Sequence, residues 1–451
     1  MNSNLELPGL DKATVISRDN HSISRKQISP NALKVLYRLS DADFHAYIVG
    51  GGVRDILLGN KPKDFDVATD ATPEEVRKLF KNARIIGRRF KIVHIRFGRE
   101  IIEVTTFRAN HNPENEIADH VPRRQIKGLD SAHSKSGMIL RDNVYGDIDE
   151  DALRRDFTIN ALYYTTRNFE LLDFCGGLDD LAKKQIRIIG DPEERYKEDP
   201  VRMLRAIRFS AKLNFDIEAN TKKPLNDLAY LLDSISPARL FDETLKLMTG
   251  GCAQRTFALL CEYQLGSYLF APSMEAIEQG DSISAKLVDL ALRNTDQRLA
   301  ENKSVTPAFL FAALLWPVLK LHLAASRNQD IHPQQAFQQA TQAALTEQLD
   351  YTAIPKRFTV ASREIWELQN RLQRQNRRSI ESVFNHPRFR AAYDFLLLRE
   401  EAGEELGGLG QWWTDFQNGD TKLRTELIAA VSKPKKRRRR RSKRKSPGVS
   451  E

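Results

Sequence analysis

Asp64 and Asp66 are the side chains best placed by type and spacing to do chemistry in this chain of 451 residues. On a strand, residues two apart project from the same face. Asp64-Phe65-Asp66 therefore presents two carboxylates side by side, which repel unless cations lie between them. Magnesium takes hard oxygen ligands and keeps substrate phosphates in its shell. Two such ions can activate an attacking hydroxyl and stabilise a leaving oxygen. An isolated Asp-x-Asp is more simply a turn cap and a solvated acid. What changes the reading lies upstream, where Gly50-Gly51-Gly52-Val53-Arg54-Asp55 ends nine residues before Asp64. A strand that runs into a glycine turn and then a helix aims backbone N–H groups and a positive helix end at one point, a place for phosphate. Gly51 and Gly52 belong to that turn, and Arg54 adds a fork of donors for phosphate oxygens.

Two further clusters have the right composition. In Asp151-Ala152-Leu153-Arg154-Arg155-Asp156, Asp156 can complete the carboxylate group and Arg155 can reach a triphosphate or ribose; the plain alternative is a charged helix start. Glu103, inside an expected strand, is a rival third carboxylate. In Glu198-Asp199-Pro200-Val201-Arg202-Met203-Leu204-Arg205, the residues Asp199, Arg202 and Arg205 are three apart and line one helix face. They form either local ion pairs or an acceptor beside donor forks. The second arrangement suits adenine and cytosine, whose pairing edges both show an amino donor next to a ring-nitrogen acceptor. It selects the two together and needs pocket size to separate them.

These residues need a scaffold, and the pattern supplies one. Residues 1–30 are polar and unpatterned and are expected to be a mobile arm. A catalytic head is expected over 31–174. In it, Ala46–Val49 is an apolar strand, Val53–Leu58 a helix ended by Gly59, and Phe65–Ala68 a strand. Thr72-Pro73-Glu74-Glu75 is a helix start with Thr72 as N-cap. Ile92–Phe97 and Ile101–Phe107 form a hairpin around Gly98-Arg99-Glu100. Asn110–Gly137 is long, polar and aperiodic, and is expected to be a flexible loop. After Gly176-Gly177 the pattern is helical: a neck over 175–265 and a body over 266–430, with helices at Pro200–Leu213, Pro237–Met248, Gln254–Tyr263, Pro307–His322, Pro355–Gln373 and Pro387–Glu404. The expected class is α+β, a small mixed sheet with helices followed by an all-α remainder.

Composition sets the outer limits. With 41% hydrophobic and 29% charged residues, wholesale disorder is excluded. The first residues hold Glu6 and Asp11 and no apolar run, so no secretory signal is expected. Ala308–Leu319 is too short to span a bilayer, which takes about 20 apolar residues, and reads as a buried core helix. Cys175, Cys252 and Cys261 show neither disulfide nor zinc spacing, which suits a reducing cytoplasm. Eleven of the 70 Lys and Arg residues and one of the 60 acids fall in Lys433–Glu451, so this segment carries the whole formal charge of +10 and the rest is balanced. The tail over 431–451 is too charged to bury anything and is expected to be disordered. Its Lys435, Lys436, Arg437, Arg438, Arg439, Arg440 and Arg441 suit sequence-blind, salt-dependent binding of RNA; a solvated tail without one role is the alternative.

The motifs Val49 to Gly59, Asp64-Phe65-Asp66, Arg154 to Asn160 and Glu198-Asp199-x-x-Arg202 closely resemble those of class II nucleotidyltransferases, the superfamily of bacterial poly(A) polymerases and CCA-adding tRNA nucleotidyltransferases. Ile85 to His94, the segments Pro307–Pro317 and His386–Arg399, and the Arg-rich end resemble the poly(A) polymerase branch. That resemblance implies a head, neck, body and tail, with about five strands in the head sheet. It implies that Asp64 and Asp66 hold magnesium, with Asp156 as third acid. Gly51 and Arg54 would contact the triphosphate, and Arg155, Asp199, Arg202 and Arg205 would bind the nucleotide and choose its base. The activity implied is template-independent transfer of AMP from ATP to RNA 3′ ends, serving RNA turnover beside decay-machinery partners. CCA addition to tRNA from CTP and ATP is the alternative.

Overall fold

The structure is a computed structural model that describes residues 7–87, 91–109, 116–117, 131–134, 139–142, 144–326, 331–374 and 376–431. Its contacts divide the chain into two compact units, Met1–Ala271 with Leu349–Ala353, and Pro272–Gln348 with Ile354–Glu451.

The first unit is built on a mixed sheet. Its strands include β1 (Thr14–Ile16), β2 (Ala46–Val49), β3 (Asp66–Thr69), β4 (Ala83–Ile86), β5 (Ile92–Phe97) and β6 (Glu100–Thr106). Leu162–Tyr164 and Leu171–Asp173 complete it, in the order β1, 171–173, 162–164, β2, β3, β6, β5, β4. The sheet thus has eight strands where about five were expected. The added ones are three residues long, too short to show an alternating pattern. β3 and β6 are the parallel pair; the other neighbours run antiparallel.

Burial fixes the faces. All four residues of β2 are buried, as a central strand requires. Helix Pro73–Leu79 starts as the sequence suggests: Thr72 and Glu75 form a reciprocal capping box and Pro73 takes the first turn. The expected N-terminal arm is instead part of the fold. Leu7 packs into the cluster of Tyr47, Val49, Ala68, Phe107, Ile148, Ala152, Tyr163 and Leu172, and Ile23 and Ile28 are buried. These apolar residues insert one at a time, so they leave no periodic trace in the sequence. Within the expected loop 110–137, Glu116–Ile117 and Ser131–Ser134 are strands that form a small sheet with Ile139–Asp142.

The second unit is helical. Expected helices appear at Lys356–Leu372 and Phe389–Ala402, joined by Ser282–Ala300 and Pro333–Gln348, which the pattern had not marked. The single helix expected at 307–322 is two, Pro307–Leu314 and Trp316–Ala325, bent by 43°. Pro317 lacks the amide hydrogen a continuous helix needs, and its ring crowds the carbonyl four residues back. Both are core helices, with Leu310, Phe311, Leu314, Trp316 and Leu319 buried. Among the described residues no single helix is long and apolar enough to cross a membrane. A second cluster gathers Leu368, Leu372, Ile380, Val383, Phe389, Leu396 and Trp413.

Candidate active site

The site forms where β2 ends. Gly50 has φ 70° and ψ −136°, a conformation closed to other residues, and it turns the chain from β2 into helix Gly51–Leu57. The first helical bond runs from the Arg54 N–H to the Gly50 carbonyl at 3.2 Å. The amides of Gly51, Gly52 and Val53 precede it and are the orphan donors of the helix start. A Cβ on Gly52 would lie 3.2 Å from the Phe65 ring and 3.5 Å from the Asp64 carbonyl, so the glycine lets the turn press against the Asp64–Asp66 segment.

Register does the rest. In the antiparallel β2–β3 pair Val49 faces Asp66, which sets the carboxylate beside the turn. Phe65 and Val67 are buried, whereas Asp66 is half-buried at the start of β3 and Asp64, two residues ahead of it, is exposed. In the parallel β3–β6 pair Asp66 stands opposite Glu103, and Glu103 Oε1 lies 3.2 Å from His94 Nε2. Burial, then the nearby charges of Glu103 and Asp64, push the Asp66 carboxyl up to about 6, against the pull of Arg155. Among the described residues no three His, Cys, Asp or Glu side chains form a ready metal cage. Magnesium is commonly held by one or two carboxylates with substrate phosphates completing the shell. The hard oxygens of Asp64 and Asp66, in a field that already favours added positive charge, fit that pattern.

Arg155 approaches the same turn. Its Nε donates to Tyr163 Oη at 2.7 Å and its Nη2 to Asp151 Oδ2 at 3.0 Å. Tyr163 Oη in turn donates to Asp151 Oδ2 at 2.6 Å. Burial opposes the Arg155 charge, but Tyr163 and Asp151 outweigh it and hold the guanidinium protonated. A Cβ on Gly50 would lie 3.7 Å from Arg155 Nη1 and 3.8 Å from Asp66 Oδ2, so Arg155 and Asp66 converge on the glycine turn.

The remaining expected residues sit differently. Arg54 is buried; its Nε and Nη2 bind Asp55 Oδ1 at 2.9 and 2.6 Å and its Nη1 binds Asn160 Oδ1 at 2.7 Å. These bonds tie the turn to the segment after Asp156. Asp156 is clasped by Arg202, at 2.9 Å, and by Arg205. Burial alone would raise its carboxyl; Arg205 and Arg202 prevail and hold it well below the ordinary range. Asp199 caps the end of helix Pro192–Glu198, where Arg239 Nη2 donates to its Oδ2 at 2.7 Å. Along the expected Asp199–Arg202–Arg205 face both arginines bind Asp156 with the Asp199 charge nearby, and Arg202 also binds Glu198 at 2.7 Å. Asp151, Tyr163, Asn160 and Arg239 were missed from sequence. The i, i+4 spacing of Asp151 and Arg155 is the one local signal that could have found any of them. Arg88, Arg89 and Phe90, and the tail residues Lys435 to Arg441, lie outside the described residues.

Comparison with known proteins joins this site to a family. Residues 46–187 match the family described as Poly A polymerase head domain, 214–278 that described as a probable RNA and SrmB-binding site of polymerase A, and 329–446 the arginine-rich C-terminus of polymerase A. Poly(A) polymerase I of Escherichia coli O6:H1 is 49% identical over 410 residues, covering 90% of this chain and 86% of the relative. The chain belongs to the bacterial poly(A) polymerase family, within the class II nucleotidyltransferases. Poly(A) polymerase I of Haemophilus influenzae is 43% identical across 96% of this chain and 95% of its own length. The CCA-adding enzyme of Leuconostoc mesenteroides is 39% identical, but over 54% of this chain and 56% of its own. A solved Bacillus stearothermophilus CCA-adding enzyme in complex with CTP superposes with a TM-score of 0.53 at 25% identity, covering 89% of this chain and 83% of that one. An apo tRNA-processing enzyme does so with 0.56 at 21%, covering 91% and 99%, a likeness of fold.

Proposed function

We propose that this member of the poly(A) polymerase family is a polynucleotide adenylyltransferase that transfers AMP from ATP to the 3′ hydroxyl of RNA and releases pyrophosphate. The observation that carries the reading is the convergence of Asp66, Arg155 and the Gly50–Gly52 turn, in a chain aligned over 90% of its length with a poly(A) polymerase I and over 54% with a CCA-adding enzyme.

The 3′ oxygen attacks the α-phosphorus in line. A new P–O bond forms, the bond to the β-phosphate bridging oxygen breaks, and the hydroxyl proton passes to solvent. Asp64 and Asp66 would hold magnesium, which when bound makes the hydroxyl easier to ionise and offsets charge on the leaving oxygens. Arg155, held rigidly by Tyr163 and Asp151, offers its Nη1 to the triphosphate above the glycine turn. The amides of Gly51 and Gly52 face the same phosphates. Arg54 keeps the turn in shape by binding Asn160. Glu103, not Asp156, supplies the third acidic group on this face, because Asp156 is already neutralised by two arginines. Asp199, Arg202 and Arg205 contribute to choosing the base, with Arg239 holding Asp199 in place. The basic tail would hold arbitrary RNA ends, and a cytoplasmic role in RNA turnover follows from this substrate. Asp64→Asn and Asp66→Asn should each abolish extension of an RNA primer while leaving a folded protein by circular dichroism; near-normal extension by either would overturn the site.

A further inference from the structure

The segment Leu7–Ile16 reaches the catalytic head as a strap. β1 pairs with Leu171–Asp173, which in turn pairs with the strand that carries Tyr163. Leu7 enters the same apolar cluster as Tyr163, Val49 and Ala152, the residues that back the site. Between these two anchors the strap lies against Asp149. Gly9 has φ +80°, a conformation that favours glycine, and a Cβ there would overlap the Asp149 carboxyl. Lys12 Nζ binds Asp149 Oδ2. Asp149 is 4% exposed, and among the described residues Lys12 supplies its side-chain hydrogen bond.

Asp149 sits in the first turn of helix Ile148–Arg154, whose next acid but one is Asp151. At 3.6 residues per turn, two residues are about 200° apart around the axis. One side of the helix therefore meets the strap, and the other gives Asp151 to Arg155 and Tyr163. Arg155 follows directly as the C-cap of the same helix. A shift of this helix moves Asp151 and Arg155 as a unit, while Asp66 stays on β3 with Asp64 just ahead of it.

We propose that the strap, through Gly9 and Lys12 against Asp149, is a positioning device that sets the helix and thereby aims Arg155 at the nucleotide triphosphate. This inference rests on the adenylyltransferase reading given above. Lys12 touches no reacting atom; it acts through Asp149.

Steady-state extension of an RNA oligomer tests it. Lys12→Ala should raise the KM for ATP by between about three- and tenfold, below the ~10²-fold that an ångström-scale misplacement can cost. The KM for RNA should not change, because the tail and body are untouched. Lys12→Arg should restore the ATP value. The exchange Lys12→Asp with Asp149→Lys should recover more than either single variant. Lys12 is exposed, so melting temperatures should match wild type and separate positioning from folding. An unchanged KM for ATP in Lys12→Ala, or equal losses for ATP and RNA, would overturn the strap. A wild-type protein inactive with ATP would instead overturn the adenylyltransferase reading.

Discussion

Asp66 and Glu103 face each other across the parallel strand pair of the head sheet, one on β3 and one on β6. Two acids at matched register, with Asp64 close by, crowd negative charge onto one face. The crowding and partial burial lift the Asp66 carboxyl to about 6. In metal-free protein this is a cost of the site, and binding of a cation relieves it.

A stability measurement exposes that cost. The folded protein keeps a proton on Asp66 that the unfolded chain releases near its ordinary value of about 3.9. Stability of the metal-free protein therefore falls as pH rises through the window from about 4 to 6. Asp66→Asn removes the term. In EDTA at pH 7.5 the variant should be more stable than wild type by about 1–2 kcal/mol, after allowance for solvent screening, with the gap narrowing toward pH 5. Urea unfolding at both pH values checks this; a variant less stable at pH 7.5 would contradict it.

Asp156 has the opposite sign. Arg205 and Arg202 hold its carboxyl below the ordinary range. Its contribution is present above the unfolded value of about 3.9 and is lost as pH falls toward the folded one. Asp156→Asn removes the carboxylate that the two guanidiniums share, leaving Arg202 only its pair with Glu198 among the acids that bind it, and should cost about 2–4 kcal/mol at neutral pH. Its magnesium affinity, by calorimetric titration with a non-hydrolysable ATP analogue, should match wild type. Lost metal affinity with unchanged stability would return Asp156 to the metal.

The tail makes a separate prediction. Removing Lys433–Glu451 deletes eleven cations. Each phosphate that a single strand no longer has neutralised flattens the dependence of log K on log salt by about 0.7. RNA affinity should fall at low salt and converge with wild type at high salt, with the turnover of bound RNA preserved. Equal slopes would leave the tail without a role in RNA binding.

The carboxylate pair, the glycine turn and most neck and body helices could be read from the sequence because each is a local pattern: acids two apart, a breaker after an apolar run, a cap before a helical period. What escaped depends on distant partners. Arg54 reads as a phosphate ligand, and its bond to Asn160, 106 residues on, has no local signal. Asp156 reads as a third acid, and its pairing with Arg202 and Arg205, about 50 residues on, has no local signal. The packing of the N-terminal segment escaped because Leu7, Ile23 and Ile28 are isolated apolar residues in polar sequence, yet all three are buried. The break before Pro317 was written in the sequence, but the unbroken apolar run around it hid the change of direction.

The central claim is that this site adds adenylates to RNA, and the most direct test offers a generic RNA oligomer and magnesium with each nucleoside triphosphate in turn. ATP alone should give long, heterogeneous products, and CTP, GTP or UTP little extension. Addition that stops after two cytidylates and one adenylate on a truncated tRNA, with no extension of the generic oligomer by ATP, would contradict it.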